Sequence, residues 1–222
     1  MNIKWNAAEF ELEEKADVIF SNAVFHWIDA DRQEKLAANL AAQLKPGGEL
    51  VCEFGGKGCA ETVHASLEKN FAKRGLSYTR EFYFPTIGEY APILERHGFR
   101  VEYAVLFDRP TVQSTEDGLR DWILMFDKKP FEGLSEQTAK EIIDETVEEL
   151  RNVLFADGRW IVDYVRIRIK PADPCRIKRK KEKRSHVGAY ERPAESGRHI
   201  RRVAGHDPLV LSSGCHGGCI CD

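Results

Sequence analysis

An α/β fold is predicted, with helices layered on a sheet and a tail that does not join it. Three observations predict it. β-rich runs and helix-period runs alternate along residues 17–169, the ordering that places helices against a sheet. The composition, 42% hydrophobic and 31% charged over 222 residues, suits one well-formed core. The charge also breaks near residue 170: residues 1–170 carry 22 Lys/Arg against 30 Asp/Glu, and the remainder 11 against 6. Residues 1–170 are therefore read as the folded domain and 171–222 as a basic, Cys- and Gly-containing, disordered tail.

The elements follow in order. Asp17-Val18-Ile19-Phe20-Ser21-Asn22 is a short β-rich run ending in turn formers, which suits a buried strand. A helix is expected from about Arg32 to Leu44, capped by Asp31, with Leu36, Leu40 and Leu44 on one face. Lys45-Pro46-Gly47-Gly48 stops it and turns the chain into a strand, Glu49 to Phe54, which Gly55-Gly56-Lys57-Gly58 ends. Val63, Leu67 and Phe71 at i, i+4 and i+8 mark the next helix. An aromatic connector, Tyr78 to Phe84, leads to a capping box, Thr86-x-x-Glu89, and a helix that Gly98 stops. Phe99, Val101, Tyr103, Val105 and Phe107 alternate as one face of a strand. Gly118 to Phe126 is a short helix. Ser135 to Phe155 is a long one, with a stripe of Ile143, Val147, Leu150 and Leu154. Trp160 to Ile169 is a last β-rich run.

No apolar run reaches the roughly 18 to 20 residues of a membrane span, and Met1 to Asn6 shows no signal-peptide pattern. Six cysteines in this setting suggest a reducing compartment, and a cytoplasmic location is expected. Arg176 to Arg184 is a basic run without interleaved aromatics, which argues against nucleic-acid binding. Cys215-His216-Gly217-Gly218-Cys219-Ile220-Cys221 crowds its ligand types unlike a zinc ribbon, so no metal site is assigned.

Three segments, in order, resemble class I S-adenosylmethionine-dependent methyltransferases. Asp17 to Trp27 resembles the fourth strand and following loop of the trans-aconitate and malonyl-carrier-protein methyltransferase group. Leu44-Lys45-Pro46-Gly47-Gly48-Glu49-Leu50-Val51 is similar to the entry to the fifth strand. Phe84-Pro85-Thr86 through Phe107 resembles the short helix and sixth strand. The resemblance implies a Rossmann-like methyltransferase sheet, here lacking the first two strands. The family's glycine-rich turn and ribose-binding acidic residue would fall upstream of residue 1. The cofactor site is thus expected to be half present and the chain weakly active or inactive. A late start and a shifted frame or fused sequence after Lys170 would account for both ends. Without the first strand, Asp17 to Asn22 has a bare edge. Either Ile3-Lys4-Trp5 fills it or the chain self-associates there.

The resemblance also implies S-adenosyl-L-methionine as cofactor and a small-molecule methyl acceptor, with a carboxylate as the expected class. Its cofactor contacts would be Asn6, Ala7, Asn22 and Ala23, Asn6 standing where the family usually has an acidic residue. In layered α/β sheets ligands sit beyond the carboxyl ends of strands, where the loop Asn22 to Trp27 begins. His26 there is the candidate catalytic residue, able to accept a proton or to hydrogen-bond a substrate carboxylate. Trp27, Tyr78 and Tyr83 are the candidate substrate contacts. The alternative is that Phe25 and Trp27 are core and His26 a satisfied loop residue. At the level of the whole chain, the alternative is a non-catalytic remnant or interaction module that binds polyanions through its tail.

Overall fold

Val18, Ile19 and Phe20 lie in β1 (Ala16–Asn22), an interior strand of the sheet of five strands that the described residues form. In the computed structural model, which describes residues 7–172 and 209–212, the chain leaves β1 through two short 3-10 turns, Phe25–Trp27 and Ala30–Arg32. It then forms α1 (Gln33–Gln43) and returns as β2 (Leu44–Gly55), parallel to β1. Asp31 does not cap α1. It lies inside the preceding 3-10 turn, and Arg32, at the cap position, makes no side-chain capping hydrogen bond. Ala16 pairs with Leu44 and Val18 with Glu49, so the Lys45-Pro46-Gly47-Gly48 turn bulges out between two paired points, with Gly47 at φ +83°. A side chain there would be strained.

After β2 come α2 (Glu61–Ala72), an irregular connector of residues 76–86, and α3 (Ile87–Arg96). The α3 capping box is complete: Glu89 N–H donates to Thr86 Oγ1, and Thr86 N–H to Glu89 Oε2. Then β3 (Arg100–Asp108), the two-residue β4 (Thr111–Val112), α4 (Gly118–Phe126) and α5 (Glu136–Leu154) follow. Next are β5 (Phe155–Ala156), β6 (Arg159–Val162) and β7 (Val165–Ala172). The expected single run from Trp160 to Ile169 is therefore two strands. Asp163 and Tyr164 turn the chain from a small sheet, β4-β6-β5, into the main one.

The main sheet has the order β3-β7-β2-β1-β8, with β7 antiparallel to both β2 and β3. The alternation along β3 does not hold. A register shift between Val101 and Tyr103 turns Tyr103 to solvent, and Val101, Ala104 and Leu106 face the core instead. The last strand, β8 (Leu209–Ser212), lies parallel to β1, with Ile19 opposite Leu209 and Asn22 opposite Ser212. The β1 edge that the sequence leaves bare is thus occupied, by a segment of the tail. Ile3-Lys4-Trp5, the basic run and Cys215 to Cys221 lie outside the described residues.

Two apolar clusters organise the packing. One joins Ile19, Leu50, Cys52 and Phe54 of the sheet to Leu36 and Leu40 of α1 and Tyr90 and Leu94 of α3. The other joins Val63, Leu67 and Phe71 of α2 to Leu119, Trp122 and Ile123 of α4, with Ile142 and Ile143 of α5 and Trp160 of β6. Polar contacts set how α2 lies on α5. Asn70 Nδ2 donates to Thr146 Oγ1 at 3.0 Å, and Glu149 collects Lys69, Lys73 and Ser66. The connector 76–86 runs between the two clusters, and the candidate site lies along it.

Candidate functional site

The site starts at the carboxyl end of β1. Ala23 follows Asn22 with φ +57°, a left-handed conformation that costs a non-glycine residue energy. Its N–H donates to the Glu53 carbonyl of β2 at 2.8 Å, which holds the turn against the neighbouring strand end. The 3-10 turn then buries Phe25 completely and presents His26 and Trp27.

His26 is 8% exposed. Gly55 N–H, at the end of β2, donates to its Nδ1 at 3.2 Å. A ring nitrogen that accepts a backbone N–H carries no proton, so the neutral imidazole has its proton on Nε2. Burial, with Arg166 nearby, pushes the ring down to about 3, so it is uncharged at neutral pH. His26 is accordingly a hydrogen-bond donor through Nε2. That arrangement suits holding a carboxylate or other oxygen better than taking up a proton.

Around this ring stands an aromatic wall. Phe82 and Phe84 stack on each other at 5.4 Å and lie 5.7 and 5.8 Å from His26. Trp27, 43% exposed, meets Phe82 edge-on at 4.7 Å and reaches Phe126 of α4 at 6.1 Å. The connector is held to the β1 loop by Tyr83 N–H donating to the His26 carbonyl. Its residues alternate sides, so the Tyr83 ring turns away to Tyr90 in the sheet cluster. The structure thus brings His26 and Trp27 together with Phe82 and Phe84, and leaves Tyr83 apart.

Tyr78 has its hydroxyl in a buried chain. It donates to Asp127 Oδ2 at 2.5 Å and lies 2.6 Å from His64 Nδ1. Asp127 ends α4 and His64 sits in the middle of α2, and both are fully buried. The His64 ring lies against Phe82, Phe84 and Trp122, at 6.2, 6.1 and 5.8 Å. Both histidines therefore border the same pair of phenylalanines. His64 and Asp127 escape a reading by motif because neither has a partner close in sequence. The one signal is a histidine between Val63 and Leu67 on an otherwise apolar helix face, where an unpaired ring would be costly.

Of the expected cofactor contacts, Ala7 is half-buried beside the sheet cluster, its carbonyl 3.4 Å from Asn39 Nδ2. Asn22 and Ala23 form the β1 corner, and Asn6 lies outside the described residues. Ser21, one residue before that corner, is buried, and its Oγ has no hydrogen-bond partner among the described residues. Cys52 and Cys59 are buried free thiols, pushed up by burial to about 12 and about 11, so neither is a nucleophile at neutral pH. Among the described residues no group of three His, Cys, Asp or Glu could hold a metal, and no helix is long and apolar enough to cross a membrane.

Residues 3–52 match a family whose description is "Methyltransferase domain". The uncharacterized methyltransferase C70.08c of Schizosaccharomyces pombe is 29% identical over 164 residues, which are 70% of this chain and 62% of that protein. The chain thus spans less than two thirds of that relative's length. Among solved structures, a Bacillus halodurans C-125 protein assigned to the methyltransferases (BH2331) is similar at a TM-score of 0.47. It is 15% identical, over 77% of this chain and 70% of its own. Haemonchus contortus phosphoethanolamine N-methyltransferase 2, solved with phosphomonomethylethanolamine and S-adenosylhomocysteine, is similar at 0.38. It is 18% identical, over 76% of this chain and 36% of its own.

Proposed function

From the chain's kinship with the class I S-adenosylmethionine-dependent methyltransferases, we propose that it takes part in methyl transfer to a small molecule that bears a carboxylate. The observation that carries this reading is the His26 corner. A neutral imidazole, fixed through Nδ1 by the Gly55 N–H, offers an Nε2–H donor beside the Phe82–Phe84 stack at the carboxyl end of a parallel strand. The methyl donor, when bound, supplies an activated methyl group and a thioether leaving group, so the protein's own part is alignment and electrostatics.

The residues present fit one side of such a donor. Ser21 Oγ is a buried polar atom without a partner among the described residues, and the Asn22–Ala23 turn opens the strand end beside it. In this reading Ala7, Asn22 and Ala23, with Asn6, contact the cofactor. His26 Nε2–H holds the acceptor's carboxylate, and Trp27 covers the acceptor with its ring face, which also favours a cationic sulfonium. Tyr78 lines the far side of the wall.

Equilibrium binding of S-adenosylhomocysteine to the full chain tests the proposal. Saturable binding that quenches Trp27 fluorescence, with the quench lost in Trp27→Leu, is the expected result. A full chain that takes up no S-adenosylhomocysteine at millimolar ligand would sink it.

A further inference from the structure

The His64–Tyr78–Asp127 chain has a direction. The Tyr78 hydroxyl donates to Asp127 Oδ2, so its oxygen is left to accept from His64, which places the His64 proton on Nδ1. The neighbouring groups agree. Burial raises Asp127 only to about 6, so it is ionised at pH 7 and can only accept. Burial, then Asp127, hold the Tyr78 proton on, and burial lowers His64 to about 4 and keeps it uncharged. His64 Nε2 therefore carries a bare lone pair. It is buried and has no hydrogen-bond partner among the described residues, and the same is true of Asp127 Oδ1. Leaving such an acceptor unpaired in the interior is costly. A bare acceptor calls for a donor.

We propose that His64 Nε2 is the proton acceptor of the methyl-transfer site, and that the methyl acceptor carries an O–H or N–H group in addition to its carboxylate. This rests on the reading of the Phe82–Phe84 wall as the acceptor site. The two histidines at that wall are opposite in kind: His26 presents a donor, which matches a carboxylate, and His64 a lone pair, which matches a hydroxyl or neutral amine. In the reaction the acceptor's oxygen or nitrogen lone pair forms the new bond to the methyl carbon. The carbon–sulfur pair leaves with sulfur, and the O–H or N–H proton passes to His64 Nε2. The imidazolium so formed is compensated by the Asp127 carboxylate through Tyr78, so the buried chain goes from one net negative charge to none. A carboxylate placed at His64 instead would meet a lone pair backed by a negative charge. His64 Nε2 is closed off from solvent behind Phe82 and Phe84, so the proposal requires the connector 76–86 that carries them to move aside for the acceptor.

The test uses the full chain with its histidine rings labelled with ¹⁵N, saturated with S-adenosylhomocysteine. Three probes that differ in one group are titrated: benzoate, 2-hydroxybenzoate and 2-aminobenzoate. The His64 Nε2 resonance should start at the position of a bare ring nitrogen and move towards the hydrogen-bonded position with the hydroxy and amino probes only. With S-adenosylmethionine, kcat for those two probes should fall by about 10²-fold or more in His64→Gln and by about tenfold in Tyr78→Phe, with KM changed less than threefold. A structural role would move both constants or unfold the chain. The resonance measurement on the unaltered protein does not depend on either variant folding. A resonance that no probe moves, or one already hydrogen-bonded to a trapped water before any probe is added, overturns the assignment. If S-adenosylhomocysteine itself fails to bind, the acceptor-site reading falls instead.

Discussion

Burial gives His26 and His64 a shared signature in acid. His26 is held at about 3 by burial and Arg166, and His64 at about 4 by burial and Arg80, against 6.5 for a free imidazole. The unfolded chain takes up these protons as pH falls below 6.5, whereas the folded chain does not until about 4 and 3. The stability they contribute is complete above 6.5 and is lost as pH falls through that window. Asp127, raised by burial to about 6 from 3.8, binds its proton earlier in the folded state and offsets part of the loss. The urea midpoint should therefore drop between pH 7 and pH 4, and His26→Phe should flatten that slope. Equal slopes for the two proteins would show that the His26 ring is not held uncharged. At this scale the sequence was legible only where chemistry is local. His26 and Trp27 stand out because they follow a strand end. His64, Tyr78 and Asp127 meet across 14 to 49 residues, and no spacing announces them.

Elements were easier to read where a cap or a stripe is self-contained. The Thr86–Glu89 box and the α5 stripe need only their own helices, and both are present. Thr86→Ala should cost about 1 kcal/mol in a denaturant titration. An unchanged midpoint would mean that tertiary contacts alone hold the start of α3. The β3 alternation misled because its bulge is set by pairing with β7, more than 60 residues away in sequence, and not by β3 itself. Gly55 shows the same dependence on a distant partner. A Cβ there would overlap the Phe84 ring, so the end of β2 and the connector can approach only because residue 55 has no side chain. Gly55→Ala should displace the Phe82–Phe84 wall and destabilise the fold by about 1–3 kcal/mol. Its mark would be a loss of the His26 ring contacts in aromatic nuclear Overhauser spectra. Intact contacts would show that the wall tolerates the added methyl.

Taken as a whole, the main sheet has strands, β1, β2, β3 and β7, that coincide with β-rich runs legible in the sequence, and a last strand that does not. Leu209 to Ser212 is an apolar run in a segment dominated by charge and glycine, and its only recommendation as a strand is the vacancy beside β1. Covering that edge removes the pairing template that Val18, Ile19 and Phe20 would offer. A chain ending at residue 204 should therefore self-associate in light scattering, and the full chain should do so less. Equal behaviour would mean that β8 contributes no protection. The same pairing also sets a schedule. Leu209 is made 190 residues after Ile19, so that length of chain must be added before the two can meet. At about 5–20 residues per second, the nascent β1 waits roughly 10–40 s for its final neighbour. During that interval on the ribosome its apolar edge is open to chaperones and to other nascent chains.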